Sequence, residues 1–283
     1  GNETNIIPIR VPQDYSTIAA ALAAAVSGKT ISVSGSQVLN SNLSVPTGVT
    51  LTITSGSTVN LVNGSNRFSI ISTGGTITIE SGAAITGLRA YLKYGDIIKG
   101  ICGSIQTAVD YASTSETVSV EQGSFGESIY ISGKSSFTLA GQGPSSTNVS
   151  SLDVYNSPYV TISSLHCSYL SLSQCSNAGI YNVEVYGGNP LSIYGSSNIY
   201  IYNTLCYNLT NGFTPSSSTG YVEWSQFSLN GTGIYANLNS NIELDGCLLC
   251  SNTNYDLRTE FGGYISAIEC YFSNGVPRTS GSV

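Results

Sequence analysis

The amino-acid sequence predicts an all-β fold, a right-handed parallel β-helix (β-solenoid) with two short capping helices. Three observations predict this fold: a repeat of about 20 residues, short strands that alternate apolar and polar residues, and a composition poor in charge. Only 9% of the 283 residues are Asp, Glu, Lys or Arg, against about 25% in ordinary soluble domains. Hydroxyl and amide side chains must therefore solubilise the chain, as is common in extracellular β-rich proteins.

The repeat is clearest after residue 158, where apolar anchors recur at intervals of 18 to 22 residues. The columns three and five residues beyond each anchor are mostly apolar or small. The column two residues beyond is small or polar, apart from Trp224, as a corner between strands requires. A coil of this length buries its inner face only by stacking on the next coil, about 4.8 Å away. The anchors are Ile162, Ile180, Ile201, Val222, Leu244 and Ile265.

An internal duplication precedes these coils. Ser16 is predicted to cap a helix over 17–26, and Ser104 a second helix over 105–112. Each is followed by an alternating strand, at 30–33 and at 117–120, and a shift of 87 residues superposes the two segments without a gap. We therefore predict two modules. They are a β-rich N-terminal module over 1–93 with the first capping helix, and a parallel β-helix module over 94–283 with the second.

Charge excludes one class of partner. The net charge is −7, and neither Lys nor Arg occurs between Lys134 and Arg258, whereas nucleic-acid binding needs clustered cations. Nucleic acid is therefore rejected as a partner, and an anionic polysaccharide fits poorly. No apolar run is long enough to span a membrane. The chain begins at Gly1 and lacks Met, which indicates a processed or tagged chain. The low content of charged residues predicts a location outside the cell or on its surface.

The seven cysteines are an odd number, so at least one has no partner within the chain. The repeat places Cys167, Cys206 and Cys270 in one inward column, where a thiol acts as a small buried hydrophobe. We therefore predict core thiols rather than a disulfide framework. Cys247 and Cys250 have a zinc-like spacing, but the single histidine and the absence of a second cysteine pair predict no metal site and no cofactor.

Four stretches resemble a known family. SIQTAVDYASTSETVSVEQGSFGESIYISGKSSFTLAGQG, with its Gly123-Ser-Phe125-Gly-Glu127 element, is similar to the segment that opens the β-helix in the pectin-lyase-like superfamily, especially its pectinesterase-like members. VPQDYSTIAAALAAAVSGKTISVSGS resembles the same segment, and SPYVTISSL and SSNIYIYNT resemble the superfamily's repeats. The resemblance covers most of the chain and implies the fold rather than a function, because the superfamily includes lyases, hydrolases, esterases, epimerases, adhesins and phage tailspikes.

The chain departs from the enzymes of that superfamily. It lacks a set of two catalytic Asp and one Arg on adjacent coils, by which pectinesterases resemble one another. It also lacks the set of N-x-D, D-D, G-H-G and R-x-K elements of polygalacturonases. Residues 135–257 contain neither Lys nor Arg. Because pectate lyases use such a base, elimination from a uronate is not expected on these coils.

One set of outward residues forms a candidate site beside the anchors. Glu223 and Asp245 are predicted to be neighbours in one ladder, about 5 Å apart. Such a pair can serve in acid and base chemistry and is typical of glycosidases, while tyrosine rings give flat surfaces on which sugars stack. A Tyr ladder that only stabilises the solenoid is the alternative. The candidate ligand-binding residues are Tyr181, Tyr200, Tyr202, Tyr221 and Tyr264, and the carboxylates are Glu223, Glu243 and Asp245.

Two other residues are singled out by their type. His166 stands one coil from Glu184 in the same column, which indicates a surface pair rather than a catalytic dyad. Trp224, at a corner position, is either a binding anchor or a packed plug.

Two functional hypotheses follow. The first is a non-catalytic surface protein, such as an adhesin, appendage or assembly subunit, that binds polysaccharide or associates with itself through open strand edges. In that case the stretch Gly1 to Arg10 adds a strand to a neighbouring molecule. The second is a hydrolase of a neutral glycan that uses the Tyr, Glu and Asp side chains named above.

Overall fold

The structure is a computed structural model that describes residues 7–273 and 279–280. It is all-β, with 55% strand, 5% helix and a parallel β-solenoid of about 12 turns, so the predicted fold class is confirmed. The chain divides into two compact units, one of residues 1–111 and 117–121, the other of residues 112–116 and 122–283. The predicted module boundary at residues 93 and 94 falls within an antiparallel hairpin of the first unit.

The first unit contains short strands and both helices. They are β1 (Ile9–Val11), α1 (Ile18–Ala24), β2 (Thr30–Val33), β3 (Ser36–Val38), β4 (Leu43–Pro46), β5 (Thr50–Ile53), β6 (Thr58–Asn60), β7 (Val62–Asn63), β8 (Asn66–Arg67), β9 (Ser69–Thr73), β10 (Thr76–Ile79), β11 (Ala84–Thr86), β12 (Ala90–Tyr94), β13 (Ile97–Cys102), α2 (Ile105–Tyr111) and β14 (Thr117–Val120).

Parallel coils build the core of this first unit. Strands β1, β2, β5 and β10 form one sheet, while β3, β6 and β11 form another. Ile31, Leu51 and Ile77 pair in register across β2, β5 and β10, and all three are buried. This column forms because alternate residues of a strand point to one side of the sheet, so that apolar positions stack from coil to coil.

The two capping helices are present at the predicted spacing: α1 and α2 begin 87 residues apart, and so do β2 and β14. One predicted cap is wrong. Thr17, not Ser16, caps α1, since its Oγ1 accepts a hydrogen bond from the Ala20 amide at 3.2 Å. Ser104 Oγ accepts from the Thr107 amide at 3.4 Å in α2, as predicted. Both helices end earlier than predicted, α1 because Ala25 is already extended.

The second unit carries the candidate site. Its strands are β15 (Gly123–Ser132), β16 (Thr138–Ala140), β17 (Thr147–Tyr155), β18 (Thr161–Cys167), β19 (Leu170–Ser173), β20 (Gly179–Tyr186), β21 (Leu191–Tyr194), β22 (Ile199–Tyr202), β23 (Leu205–Tyr207), β24 (Asn211–Ser216), β25 (Thr219–Glu223), β26 (Gln226–Ser228), β27 (Thr232–Ala236), β28 (Asn241–Asp245), β29 (Leu248–Cys250), β30 (Tyr255–Thr259), β31 (Tyr264–Ile268), β32 (Tyr271–Phe272) and β33 (Thr279–Ser280).

Three faces of parallel strands run along the second unit. The first face contains β16, the starts of β18 and β20, then β22, β25, β28 and β31. The second face contains the starts of β15 and β17, the ends of β18 and β20, then β23, β26, β29 and β32. The third face contains the ends of β15 and β17, then β19, β21, β24, β27, β30 and β33.

The corner between the first and second faces is a column of residues with positive φ. Bulky side chains avoid this left-handed conformation, whereas Gly and Asn adopt it at little cost. The observed column matches the predicted corner column, except that its last member is Glu269 rather than Ala267. The column consists of Ser164, Asn182, Asn203, Trp224, Gly246 and Glu269, with φ between 48° and 59°.

The last coil differs from the predicted register. Leu244 pairs with Ala267, two residues beyond the predicted anchor Ile265, which instead pairs with Ile242. Cys270 therefore leaves the column of Cys167 and Cys206, where Leu249 is followed by Phe272. A shift of two residues preserves the inward and outward alternation of a strand, so the apolar pattern cannot detect it.

The cysteines are free thiols. All seven lack a disulfide, and five are buried, as the core interpretation predicts. Burial raises the pKa of Cys167 to about 12, because a thiolate loses its hydration in an apolar environment. Cys167 and Cys206 therefore act as small apolar side chains of the core.

Candidate functional site

Two ladders of outward side chains form the candidate site on the first face. In one ladder Tyr181, Tyr202, Glu223 and Asp245 follow one another on β20, β22, β25 and β28. In the other, Tyr200, Tyr221 and Glu243 follow one another on β22, β25 and β28. We call these seven residues the tyrosine face. The register predicted for them is the one observed, and Glu223 and Asp245 are neighbours in one ladder.

Ring contacts centre on Tyr200. Its ring lies 5.8 Å from that of Tyr221 at an interplanar angle of 12°, and 6.3 Å from that of Tyr202 at 14°. The Tyr181 ring is tilted by 50° at a centroid distance of 5.7 Å. Tyr181 folds back over Gly179, where a Cβ would come within 2.3 Å of its ring. Three nearly parallel rings therefore present an aromatic surface across successive coils.

Hydrogen bonds tie the two ladders together diagonally. The Tyr200 hydroxyl donates to Glu223 Oε2, and the Tyr221 hydroxyl donates to Asp245 Oδ2 at 3.0 Å. Each phenol thus reaches a carboxylate on the next coil. These bonds raise the pKa of both Tyr200 and Tyr221 to about 12, because the neutral phenol donates to a carboxylate and a phenolate cannot.

Glu223→Gln is expected to lower the pKa of Tyr200 from about 12 towards its ordinary value of about 10, because an amide is a weaker acceptor than a carboxylate. Carbon-13 NMR of labelled tyrosine rings measures the titration of each phenol. Glu80→Gln, in the first unit, is the control and should leave Tyr200 unchanged. An unshifted Tyr200 in Glu223→Gln would contradict the hydrogen bond.

The same pKa values have a consequence for stability. Folding raises these phenol pKa values, so the stability that they contribute is complete below pH of about 10. It is lost as the pH rises through about 12, where the folded phenols ionise.

Trp224 lies at the corner beside the tyrosine face. Its Nε1 donates to Glu223 Oε1 at 3.0 Å, and its ring packs over Gly246 of the next corner. The side chain is 58% exposed, so Trp224 is not a packed plug. A bulky residue at φ 49° costs about 1 to 3 kcal/mol of strain, which in many proteins marks a functional position.

A shallow cleft of about 340 Å³ lies along the second ladder. Tyr200, Tyr221 and Glu243 line it together with Asn198, Thr219 and Asn241. Gly220 forms part of its wall, where a Cβ would approach the Ile199 carbonyl to 2.8 Å. Rings, amides and a carboxylate therefore converge on one cleft.

One predicted member lies apart from this group. Tyr264 pairs with Asn241 rather than following Glu243, because of the two-residue shift in the last coil. Its side chain is 48% exposed, and it joins none of the ring contacts observed among the described residues. Tyr264 thus stands at the edge of the cleft's ladder rather than within the aromatic surface.

His166 and Glu184 are in-register neighbours on the second face, with Nδ1 and Oε1 3.9 Å apart. Glu184 also accepts a hydrogen bond from the hydroxyl of Tyr207, a residue that the sequence analysis did not single out. Within residues 7–273, no group of three or more His, Cys, Asp or Glu side chains could hold a metal ion.

Comparison with protein-family models finds no match for this chain, and comparison with curated proteins finds none either. Kinship with the pectin-lyase-like superfamily therefore stays a prediction from the sequence. In the described part of the chain, neither helix has the length and apolar character that crossing a bilayer requires.

Proposed function

We propose that this chain is a non-catalytic extracellular or cell-surface β-helix that binds a neutral glycan through the tyrosine face and Trp224. The observation that carries the proposal is the outward aromatic surface of Tyr202, which is exposed, and Tyr200 and Tyr221, which are half-buried. Trp224, held in a strained corner, extends this surface. Aromatic rings with a polar edge suit sugars, because the ring face contacts C–H groups while nearby polar atoms bond to hydroxyls.

The charges of the site favour a neutral ligand. Glu223, Glu243 and Asp245 lie beside the rings, and no Lys or Arg occurs between residues 135 and 257. An anionic sugar would be repelled by three carboxylates, whereas the hydroxyls of a neutral sugar donate hydrogen bonds to them. The rings of Tyr200 and Tyr221 follow one another on successive coils, so a glycan chain that packs on both would run along the stack of coils.

The hydrogen bonds favour binding over hydrolysis. Both oxygens of Glu223 accept hydrogen bonds, one from Tyr200 and one from Trp224. A general acid or base must pass a proton to or from a reacting group within hydrogen-bond reach, whereas the two oxygens of Glu223 already meet a phenol O–H and an indole N–H of the protein. Release of new reducing ends by the wild-type protein would contradict this part of the proposal.

Self-association stays a prediction. Ile9–Val11 forms β1, the terminal strand of its sheet, and pairs with β2 of its own chain. The remaining edge of β1 is where a strand of another copy would add. Residues 1–6, which the sequence analysis assigned to this contact, lie outside the described residues.

A screen of the wild-type protein on a glycan array tests the proposal. Trp224 is the single tryptophan, so its emission reports on ligands at the tyrosine face. We expect a neutral glycan from the array to change the Trp224 emission saturably. Failure of every neutral glycan, or a preference for uronate polymers, would overturn the proposal.

A further inference from the structure

The second face of the same unit carries a separate groove. One cleft of about 480 Å³ and another of about 470 Å³ share Ser124, Asn148 and His166 in their walls. These three residues pair in register from β15 to β17 and from β17 to β18, and Glu184 on β20 continues the ladder. A column of polar side chains, one per coil, therefore runs along the groove.

An aromatic wall stands at one end of the groove. Tyr186 and Tyr207 are in-register neighbours whose rings stack at 4.6 Å and 27°, the shortest centroid distance among the observed ring pairs. The His166 ring meets Tyr186 edge-on at 6.2 Å and 87°. The Tyr207 hydroxyl donates to Glu184, which fixes the stack against the polar ladder.

We propose that this groove is a second binding site for a neutral oligosaccharide. Tyr186, 40% exposed, gives the ring face on which one sugar packs. Ser124, Asn148 and His166 give hydrogen-bond donors and acceptors for the hydroxyls of further sugar residues. Glu184 disfavours an anionic sugar. The site uses none of the seven residues of the tyrosine face and does not depend on that face binding a ligand.

The strand β20 connects the two sites. Tyr181 lies on the tyrosine face at its start, and Glu184 and Tyr186 lie in the groove at its end, with the Asn182 corner between them. Asn203 Nδ2 donates to Asn182 Oδ1 at 3.3 Å, which supports that corner. Two weak sites held on one rigid support raise the avidity for a polysaccharide that reaches both.

A relocated tryptophan tests the proposal. The double variant Trp224→Phe/Tyr186→Trp places the single tryptophan in the groove, where the larger ring keeps the stack on Tyr207. Cellohexaose, mannohexaose and xylohexaose are the neutral probes, and hexagalacturonate is the anionic probe. We expect a saturable change of emission with a neutral probe and none with hexagalacturonate.

Gly126→Phe, added to that double variant, should weaken binding at least tenfold. Gly126 lines the groove, a Cβ there meets nothing within 4 Å, and its φ is not in the left-handed region, so the new ring fills the groove without strain. Ser132→Phe is the matched control, because Ser132 is an exposed position of the same strand that lies on the third face.

Three results would overturn the proposal: no emission change with any neutral probe, equal binding by the Gly126→Phe and Ser132→Phe variants, or equally tight binding of hexagalacturonate. The same experiments distinguish failure of binding at the tyrosine face from failure of binding at the groove. A silent Trp224 in the wild type together with a saturable signal from the groove would overturn the first site and support the second.

Discussion

Replacing Tyr200 and Tyr221 together with alanine is expected to raise the Kd for a neutral glycan at the tyrosine face about 30-fold. A sugar that covers about 40 Å² of each ring gains roughly 1 kcal/mol per ring at about 25 cal/mol per Å², and a loss of about 2 kcal/mol corresponds to this change in Kd. Tyr200 contributes most, because its ring contacts Tyr181, Tyr202 and Tyr221. Titration calorimetry with the best glycan from the array measures the effect.

The control for this variant is Tyr155→Ala/Tyr194→Ala. Tyr155 and Tyr194 are 41% and 54% exposed and lie on the third face, so their loss removes two outward tyrosine rings from another face. We expect the control to bind like the wild type, and both double variants to unfold within a few degrees of it, because the rings point outward. Equal affinity of the two double variants would mean that the tyrosine face only stabilises the solenoid and does not bind the glycan.

The register of the tyrosine face was predictable because each coil repeats the same chemistry. Ile180, Ile201 and Val222 are buried neighbours, and one strand position on either side of a buried residue points outward. Counting from the anchors therefore places Tyr200, Tyr202 and Glu223 on one surface. Diagonal hydrogen bonds such as that from Tyr200 to Glu223 depend on rotamers, which the spacing of residues does not determine.

The last coil shows where such counting fails. Ile265 and Ala267 are both apolar or small and both fit an inward position, so the sequence offers two registers for one strand. Backbone pairing selects Ala267 opposite Leu244, which moves Tyr264 away from Glu243. The corner of this coil has its positive φ at Glu269, and Glu is an uncommon residue in that conformation. No Gly or Asn therefore marks the shifted corner in the sequence.

Two other features also have a signal in the sequence. Tyr186 and Tyr207 stand six residues beyond the anchors Ile180 and Ile201, so the aromatic wall of the groove follows from the same repeat. The hairpin of β12 and β13 is indicated by Gly95-Asp96 between two apolar runs, since Gly95 adopts φ 57° in the turn.

Phe227→Ala is expected to destabilise the second unit by about 3 to 5 kcal/mol, the usual cost of emptying a buried aromatic position. Phe227 is fully buried, stacks on Phe213 at 6.1 Å, and lies in the inward column between Cys206 and Leu249. A cavity there has neighbours on both adjacent coils, and the backbone pairing of those coils prevents them from closing on it.

Urea unfolding followed by two signals tests this expectation. Circular dichroism reports on all strands, while Trp224 emission reports on the coil that also contains Phe227. In a solenoid each coil contacts its neighbours alone, so in Phe227→Ala we expect the Trp224 transition to move to lower urea than the dichroism transition. Phe261→Ala, at a 71% exposed ring, is the control and should change stability by less than about 0.5 kcal/mol.

The same variant separates stability from binding. Tyr221 and Glu223 precede Phe227 on one coil, but their side chains point outward and do not fill the space that the phenyl ring occupies. In the absence of urea the coil is still folded, so we expect glycan affinity within about threefold of the wild type, a change of less than about 0.7 kcal/mol. A complete loss of binding by folded Phe227→Ala would mean that the tyrosine face depends on core packing rather than on its own ladder of hydrogen bonds and stacked rings.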